Sequence, residues 1–431
     1  MPPTPLAPPL DVFLGMFTYL SKEPGVGGRI RCSIEEFVVI EEVEGWGVAN
    51  APEMLDTEGL YAVYVLEKRG VETFETLDRI ATELGVPRAA ISIAGIKDKY
   101  ARTLQFLTVK GGKPLHLEGE GFSLSFIGYS TKPASPARLM GNRFDITIRE
   151  VIHMEEAITR VRDLVEEVCD KGGFPNFYGY QRFGAKRPIN HIVGWLLLEG
   201  AWSRAIEVIL ATPALQESQE AREFRVLAAR GATPEELLTS IPPFLMVEHR
   251  ILSKLKETRS SLKALRALPA RLRSLLVQSY QSFLFNIAVS TRILLKGHLL
   301  PSIGDYVLRG NRAVERVEAC SIERVLREVQ RGVSALAVPL PSASRKVWER
   351  FVRVTGILLP YPDSHKWYRN LKAIGARLAK GWRSVTVVLP SFAVEAHNDA
   401  LRVSFTLPRG CYATVVLREI MKPQDPLAAG F

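Results

Sequence analysis

The sequence has few cysteines. Four occur among 431 residues, far apart and without a Cys-x-x-Cys pair. This spacing argues against a structural zinc site and against a disulfide framework. We predict reduced, mostly buried thiols at Cys32, Cys169, Cys320 and Cys411.

Long apolar runs and targeting signals are also missing. No stretch reaches the roughly 18 continuous apolar residues of a membrane span. Residues 1–28 are rich in proline and glycine and lack the basic start and apolar run of a secretory signal. We therefore expect a soluble, cytoplasmic protein without a membrane partner.

Ligand-spaced histidines and nucleotide-binding motifs do not occur. The seven histidines are dispersed, without the short spacings typical of metal ligands. Neither a Gly-x-x-x-x-Gly-Lys-Ser/Thr sequence nor a dinucleotide fingerprint follows a predicted strand. We predict that the protein needs neither a metal nor a nucleotide cofactor.

Positive charge is in excess. The chain has 56 Lys and Arg against 46 Asp and Glu, a net charge of +10 at pH 7. This balance favours a polyanionic partner, such as RNA or an anionic membrane surface, over an inert basic surface. The length and the 47% of hydrophobic residues are sufficient for a sizeable core and predict two domains.

One carboxylate stands where the predicted local structure changes. Residues 90–96 and 103–109 each have the small and β-branched side chains of a buried strand. Between them, Lys97 and Lys99 flank Asp98 and would keep its carboxylate ionised near neutral pH. Such an aspartate can act as a nucleophile or as a base, and the alternative is an ordinary solvated turn.

Strand patterns lie at both ends of the chain, and helical patterns fill the middle. Alternation predicts strands at 122–130, 143–151 and 401–407, and helical spacing predicts a helix from Thr73 that stops at Gly85. Residues from about 186 to 256 are largely helical in pattern. We infer an α+β protein whose catalytic domain is built from both ends, with the middle inserted.

Aromatic and basic stretches are candidate RNA-binding elements. The aromatics among glycines at 176–184 suit a loop that stacks bases, or a buried corner. Residues 244–276 carry a strong excess of cations, and residues 365–372 interleave cations with aromatics. Either could contact RNA, but solvated helices or aromatics packed inward would have the same patterns. The candidate RNA-binding residues are Lys97, Arg182, Arg250, Lys254, Arg266, Lys366 and Arg369.

Three motifs, specific in residue type and order, together resemble the TruD family of tRNA pseudouridine synthases. They are Ala94-Gly95-Ile96-Lys97-Asp98, Asn176-Phe177-Tyr178-Gly179-Tyr180-Gln181-Arg182-Phe183-Gly184, and Phe405-Thr406-Leu407-Pro408-Arg409-Gly410-Cys411-Tyr412-Ala413-Thr414-Val415-Val416-Leu417-Arg418-Glu419. Further matches occur in family order at 35–41, 141–144 and 281–286. The resemblance therefore extends from about residue 31 to about residue 422.

The resemblance implies a fold and a reaction. The fold is a pseudouridine synthase domain, a mixed β-sheet flanked by helices, at residues 1–186 and 372–431, interrupted by a mixed α/β TRUD insertion domain at 187–371. The reaction is the cofactor-free isomerisation of a flipped-out uridine, uridine 13 of the tRNA D-arm. Separately, we expect a monomer. Asp98 would be the catalytic residue, as a nucleophile at C1′ or C6 or as the base that removes the C2′ proton.

The resemblance also implies roles around Asp98. Arg31 stands where relatives usually have lysine and would pair with Asp98, while Phe37 would line the pocket. Asn176 would orient the Asp98 carboxylate. Tyr178 would stack on the flipped base, although bacterial members have phenylalanine there, so its hydroxyl has no assigned role.

Two other classes of function compete with this one. A protein on the same scaffold could bind or fold RNA without catalysis. A nuclease could use Asp98 in a metal site, which would need more carboxylates near it than the local sequence offers.

Overall fold

The structure is a computed structural model that describes residues 7–53, 55–184, 187–214, 216–310, 313–342, 344–356, 363–389 and 391–431. The described chain packs into two compact units. We call residues 21–168 and 388–431 the sheet unit, and residues 1–20 and 169–387 the helical unit. Both units combine segments distant in sequence. The insertion domain at 187–371, which the family resemblance implies, stays a prediction.

The described residues form the following strands, in chain order: β1 Gly27–Arg29, β2 Phe37–Val43, β3 Gly47–Val48, β4 Ala51–Pro52, β5 Tyr61–Arg69, β6 Ile91–Ile93, β7 Arg102–Lys110, β8 His116–Gly119, β9 Phe122–Ser130, β10 Leu139–Val151, β11 Phe174–Pro175, β12 Tyr306–Arg309, β13 Ala313–Arg316, β14 Ser334–Pro339, β15 Trp382–Ser384, β16 Thr386–Val387, β17 Ala393–His397 and β18 Ala400–Pro408.

They also form the following α-helices: α1 Pro9–Phe13, α2 Thr73–Leu84, α3 Met154–Asp170, α4 Tyr180–Phe183, α5 Asn190–Glu199, α6 Trp202–Ala211, α7 Gln219–Ala229, α8 Pro234–Ser240, α9 Met246–Thr258, α10 Ser261–Arg266, α11 Ala270–Lys296, α12 Ile322–Gln330, α13 Arg345–Thr355, α14 Ser364–Ile374 and α15 Ala413–Met421.

The sheet unit is organised by one mixed sheet. Its main strand order is β17-β18-β10-β2-β7-β5-β9-β8, antiparallel throughout except for the parallel pair β2 and β7. Side chains alternate along β2, so Phe37, Val39 and Glu41 share one face and Val38 and Ile40 share the other. The face of Phe37 and Glu41 is the one that carries the Asp98 turn.

The helical unit packs α5 to α11 and α14 around a core of aliphatic and aromatic side chains, including Val193, Phe224, Ile251 and Val277. A four-stranded antiparallel sheet, in the order β13-β12-β14-β15, accompanies these helices. Together the two units confirm the predicted α+β class.

The structure also corrects some expectations. Cys32 and Cys320 are exposed and the other two cysteines are half-buried, so the prediction of mostly buried thiols is wrong. Cys32 and Cys320 lie in turns, where a small apolar side chain has no core to enter. The strand expected at 90–96 is only β6, because the chain leaves the sheet after Ile93 to form the Asp98 turn. The aromatic loop contains the one-turn helix α4.

In the part of the chain that the structure describes, no helix is both long enough and apolar enough to cross a membrane.

Candidate active site

Asp98 lies in the irregular turn between β6 and β7, and its side chain is 38% exposed. Buried polar side chains hold the backbone of this turn from beneath. Lys68 Nζ donates a hydrogen bond to the Asp98 carbonyl oxygen at 2.7 Å, and Thr73 Oγ1 donates to the Lys97 carbonyl oxygen at 3.0 Å. The backbone is therefore fixed while the carboxylate stays open to a reactant.

Lys97 points into the sheet unit, away from solvent. Its ammonium lies 2.6 Å from Glu41 Oε1 and 2.7 Å from Asn142 Oδ1. The other Glu41 oxygen accepts a hydrogen bond from Phe106 N at 3.0 Å. Burial raises the pKa of Glu41, and the Lys97 ammonium opposes that rise. This inward geometry gives no support to a phosphate contact of Lys97, which stays an untested prediction. Successive residues of an extended segment face opposite sides, so Lys97 faces inward where Asp98 is open.

Arg31 pairs with Asp98 at 3.2 Å between Nη2 and Oδ2. Its backbone is left-handed, with φ 60°, and its Nη1 donates to the Gly430 carbonyl oxygen at 2.9 Å. The guanidinium carbon lies 4.3 Å from the ring centroid of Phe37, which is itself buried. Burial lowers the pKa of Arg31, and Asp98 opposes this effect. Phe37 is thus the platform beneath Arg31.

Lys68 is a site residue that the sequence analysis missed. It is fully buried, and burial lowers its pKa to about 8 although Asp98 and Glu72 oppose the change. A signal was present in β5, where Ala62, Tyr64 and Leu66 occupy the inward positions and Lys68 is the next residue in that alternation. A lysine at a core position indicates a buried polar partner.

Asn176 lies in the helical unit beside β15 and β16. Its backbone N–H donates to the Val385 carbonyl oxygen at 2.8 Å, and its side-chain Nδ2 donates to the Ser384 carbonyl oxygen at 3.1 Å. Its Oδ1 accepts a hydrogen bond from Arg383 Nη2 at 2.9 Å. The side-chain amide is therefore held in one orientation.

Asn286 of α11 holds the backbone of Tyr178. Its Oδ1 accepts from Tyr178 N at 2.8 Å, and its Nδ2 donates to the Tyr178 carbonyl oxygen at 3.0 Å. The Arg383 guanidinium carbon lies 3.9 Å from the centroid of the Tyr178 ring, and Phe285 meets that ring edge-on at 5.4 Å. Arg383 was also missed, although an arginine in an otherwise strand-like stretch was the available signal.

The other predicted RNA-binding residues differ in whether their charged groups already have partners within the protein. Arg250, Arg266 and Arg369 are exposed and form no ion pair with any described residue. Lys254 pairs with Glu257 at 2.8 Å, and Lys366 pairs with Glu199 at 2.6 Å. Arg182 donates to Ser282 Oγ at 3.0 Å and to Gln278 Oε1 at 3.2 Å.

The predicted site residues thus fall into two groups. The sheet unit brings together Arg31, Phe37 and Asp98, and the helical unit brings together Asn176, Tyr178 and Arg182. Among the described residues, no three His, Cys, Asp or Glu side chains cluster as metal ligands.

Comparison with known proteins gives a consistent result. The family model for tRNA pseudouridine synthase D (TruD) matches residues 13–420. The chain is 32% identical to a probable tRNA pseudouridine synthase D of Pyrococcus furiosus over 430 residues, covering 95% of this chain and 99% of the relative. It is also 32% identical to the corresponding protein of Pyrobaculum aerophilum over 431 residues, covering 99% of each.

A solved structure is similar along nearly the whole chain. It is the crystal structure of a putative tRNA pseudouridine synthase D from Methanosarcina mazei, with a TM-score of 0.75 and 27% sequence identity. The similarity covers 98% of this chain and 99% of that one.

Proposed function

Because the chain belongs to the TruD family of tRNA pseudouridine synthases, which are isomerases, we propose that it converts uridine 13 of the tRNA D-arm to pseudouridine, with Asp98 as the catalytic residue and no cofactor. The observation that carries the assignment is the pair of Arg31 and Asp98, a half-exposed carboxylate with a cation at 3.2 Å on a backbone held from beneath. We propose that the enzyme works as a cytoplasmic monomer.

Isomerisation requires one carboxylate and no external energy. In one route a carboxylate oxygen of Asp98 bonds to C1′, and the electron pair of the C1′–N1 bond stays on uracil. The uracil turns, C5 bonds to C1′ and releases the carboxylate, and the C5 proton is transferred to N1. In the other routes Asp98 adds to C6, or removes the C2′ proton as a base. All three routes begin from the ionised carboxylate, whose charge the Arg31 guanidinium compensates.

We propose that Tyr178 stacks on the flipped uracil and that Asn176 orients the Asp98 carboxylate. Flipping a base costs a few kcal/mol in lost stacking, and an aromatic ring compensates for that loss. The guanidinium carbons of Arg383 and Arg182 lie 3.9 and 5.5 Å from the centroid of the Tyr178 ring, so a stacked base would lie beside these cations. The Asn176 Nδ2 donates to the carbonyl oxygen and to Oγ of Ser384, at 3.1 and 3.0 Å, so the orienting role requires it to exchange one of these contacts for the carboxylate.

Among the RNA-binding candidates, we propose phosphate contacts for Arg250, Arg266 and Arg369. Their charges are exposed and have no acidic partner among the described residues. Lys254, Lys366 and Arg182 would each exchange an internal partner for a phosphate, so their contributions should be smaller. Lys97 is not part of this set, because its ammonium is buried against Glu41.

Pseudouridine formation on unmodified tRNA, measured in EDTA by carbodiimide treatment and primer extension, tests this function. We expect the wild type to modify one uridine and Asp98→Asn to lose at least about 10³-fold in rate, as catalytic nucleophiles do on removal. Asp78→Asn is the matched control, because its carboxylate is in the same unit and its side chain is 70% exposed. It should keep wild-type activity.

The alternatives give different results in the same assay. A wild type that binds tRNA and makes no pseudouridine would be an RNA-binding protein without catalysis. RNA cleavage that EDTA abolishes would indicate a metal-dependent nuclease. Full activity of Asp98→Asn would refute the assignment of the catalytic residue.

A further inference from the structure

Helix α14, Ser364–Ile374, has one face that the fold uses and one that it does not. Trp367, Asn370 and Ile374 are buried, with 2%, 7% and 0% of their surface exposed. On the opposite side His365, Tyr368, Arg369 and Lys372 are all exposed, at the i, i+3, i+4 and i+7 spacing of a single helix face. We call these four residues the α14 surface.

The buried face explains half of the aromatic and basic pattern of this segment. The Trp367 ring contacts Tyr280 and Trp348 at centroid distances of 6.0 and 6.2 Å, and its Nε1 donates to Glu199 Oε1 at 2.9 Å. Lys366 bonds to the other Glu199 oxygen at 2.6 Å. Both residues therefore serve the fold, and neither accounts for the α14 surface.

Tyr368 is the part that folding leaves unexplained. Its side chain is 72% exposed, more than any other large hydrophobic or aromatic residue in the described chain. Exposure of a single large side chain is ordinary. Here, however, the ring shares its helix face with Arg369 and Lys372, neither of which has an acidic partner among the described residues.

The helix is rigidly attached, so it presents this ring in a fixed place. Asp363 caps its first turn by accepting from Lys366 N at 3.0 Å, and Asn370 Nδ2 donates to the Leu198 carbonyl oxygen at 2.8 Å. Arg273 donates to the Ile374 carbonyl oxygen at the other end. Burial lowers the pKa of Arg273, and the charge of nearby Arg266 lowers it further. Two positively charged side chains therefore lie near that end of the helix.

We propose that the α14 surface binds an unpaired nucleotide of the tRNA, with the base stacked on Tyr368 and adjacent phosphates on Arg369 and Lys372. The proposal rests on the proposed function in requiring a tRNA substrate, but not on the identity of the catalytic residue. Bases stack on aromatic side chains whatever their sequence, and cations neutralise the phosphates beside them. A duplex offers its phosphates but not the faces of its bases, so the fitting partner is a loop or single-stranded segment.

Binding of tRNA to the otherwise unchanged Asp98→Asn protein tests the proposal without turnover. We expect Tyr368→Ala to raise the Kd for tRNA about 10-fold and Tyr368→Phe to leave it unchanged, because phenylalanine keeps the stacking face. Leu295→Ala is the matched control, since this aliphatic residue of the same unit is 70% exposed. It should bind like the parent protein.

Charge is tested separately. Arg369→Glu combined with Lys372→Glu should lower the slope of log Kd against log salt by about 2, one unit for each lost phosphate contact. Arg230→Glu, an exposed arginine at the end of α7 with no ion pair among the described residues, should change neither slope nor affinity.

Base-specific chemical probing of the tRNA should reveal one unpaired base that the parent protein and Tyr368→Phe protect and Tyr368→Ala does not. Equal binding by Tyr368→Ala and Leu295→Ala would overturn the stacking site, as would an equal loss of affinity for a blunt RNA duplex. A parent protein that protects this base, beside a wild type that makes no pseudouridine, would support the surface and refute the proposed function.

Discussion

The two units hold their candidate site residues by different means. In the sheet unit the Asp98 turn rests on buried charges, namely the pair of Lys97 and Glu41 and the ammonium of Lys68. In the helical unit the Tyr178 backbone is held by the neutral amide of Asn286, and its ring lies against Arg383. The difference follows from what each side chain would do. A reacting carboxylate needs compensating charge, whereas a stacking ring needs only a fixed position.

Removal of a buried charge in the sheet unit and of a neutral amide in the helical unit should cost different amounts of stability. Removal of one partner of a buried ion pair leaves an uncompensated charge in a low dielectric and typically costs about 3–5 kcal/mol. Removal of a neutral buried hydrogen-bonding group costs about 1–3 kcal/mol. Most of the stability held in polar contacts near the candidate site should therefore lie in the sheet unit.

The largest effect is expected from Lys97→Met. It should lower the free energy of unfolding of the sheet unit by about 3–5 kcal/mol, because Glu41 stays buried without its cation. The double variant Glu41→Leu with Lys97→Met should recover most of this loss. Asn286→Ala should destabilise the helical unit by about 1–3 kcal/mol. Hydrogen exchange, read separately for amides of each unit, measures both, and equal losses would contradict the comparison.

An intermediate effect is expected from Gly430→Ala, which disturbs Arg31 without removing a charge. Gly430 has φ +90°, and a Cβ there would lie 2.2 Å from the Ile30 carbonyl oxygen. The carbonyl that accepts from Arg31 Nη1 should therefore shift, and kcat should fall about 10-fold with little change in KM, because misplacement of a catalytic pair mainly affects the transition state.

Gly231→Ala is the matched control for Gly430→Ala. Gly231 also has positive φ, at +81°, but a Cβ there would meet no atom within 4 Å. It should carry the same kind of backbone strain and leave kcat unchanged. If both substitutions lower kcat equally, the contact of Gly430 with Arg31 does not position the proposed catalytic residue Asp98.

The smallest effect is a difference in the pH dependence of stability. His191 is packed among Phe13, Phe183 and Phe283, and burial lowers its pKa to about 4. Unfolded histidine binds a proton near pH 6.5. The unfolded state therefore binds more protons between pH 6.5 and 4, and the helical unit should lose about 1 kcal/mol of stability by pH 5.5.

For the sheet unit, the pKa of Lys68 predicts a change in stability at alkaline rather than acidic pH. Its pKa is about 8 in the folded state against 10.5 ordinarily, so the unfolded state binds more protons between these values. Stability of the sheet unit should therefore rise as pH increases from 8 toward 10.5. Denaturant unfolding at several pH values, with His191→Leu and Lys68→Met, measures both trends. Each variant should lose only its own unit's trend, and loss of neither would refute the assignments.

Much of the fold was predictable because local patterns report it. Alternation marked β9, and its predicted bounds at 122–130 match the observed strand. The helical spacing from Thr73 and the stop at Gly85 match α2, whose end has the left-handed glycine that such a stop requires. Prediction failed where residues leave a regular element, as at the end of β6, because a turn takes its shape from distant side chains.

The candidate site was only partly predictable for the same reason. Asp98 was identified from its own neighbours and motif, and the pairing of Arg31 with Asp98 was expected from the resemblance. Lys68 and Arg383 were not identified, although each contacts the segment of a predicted site residue. Helix α14 shows the limit clearly, since its sequence fits both an exposed RNA-binding face and a packed face, and the structure shows a packed face opposite an exposed one.

The amino-acid sequence by itself determined the chemical class of this protein, because motif order, charge and hydrophobic periodicity are properties of neighbouring residues. Only the tertiary structure decided that Lys97 faces inward, that Gly430 supports Arg31, and that Tyr368 is left exposed. Each of these outcomes depends on packing and on contacts between residues far apart in the chain. The free energy of burying or pairing a side chain depends on those partners, and a local pattern does not contain them.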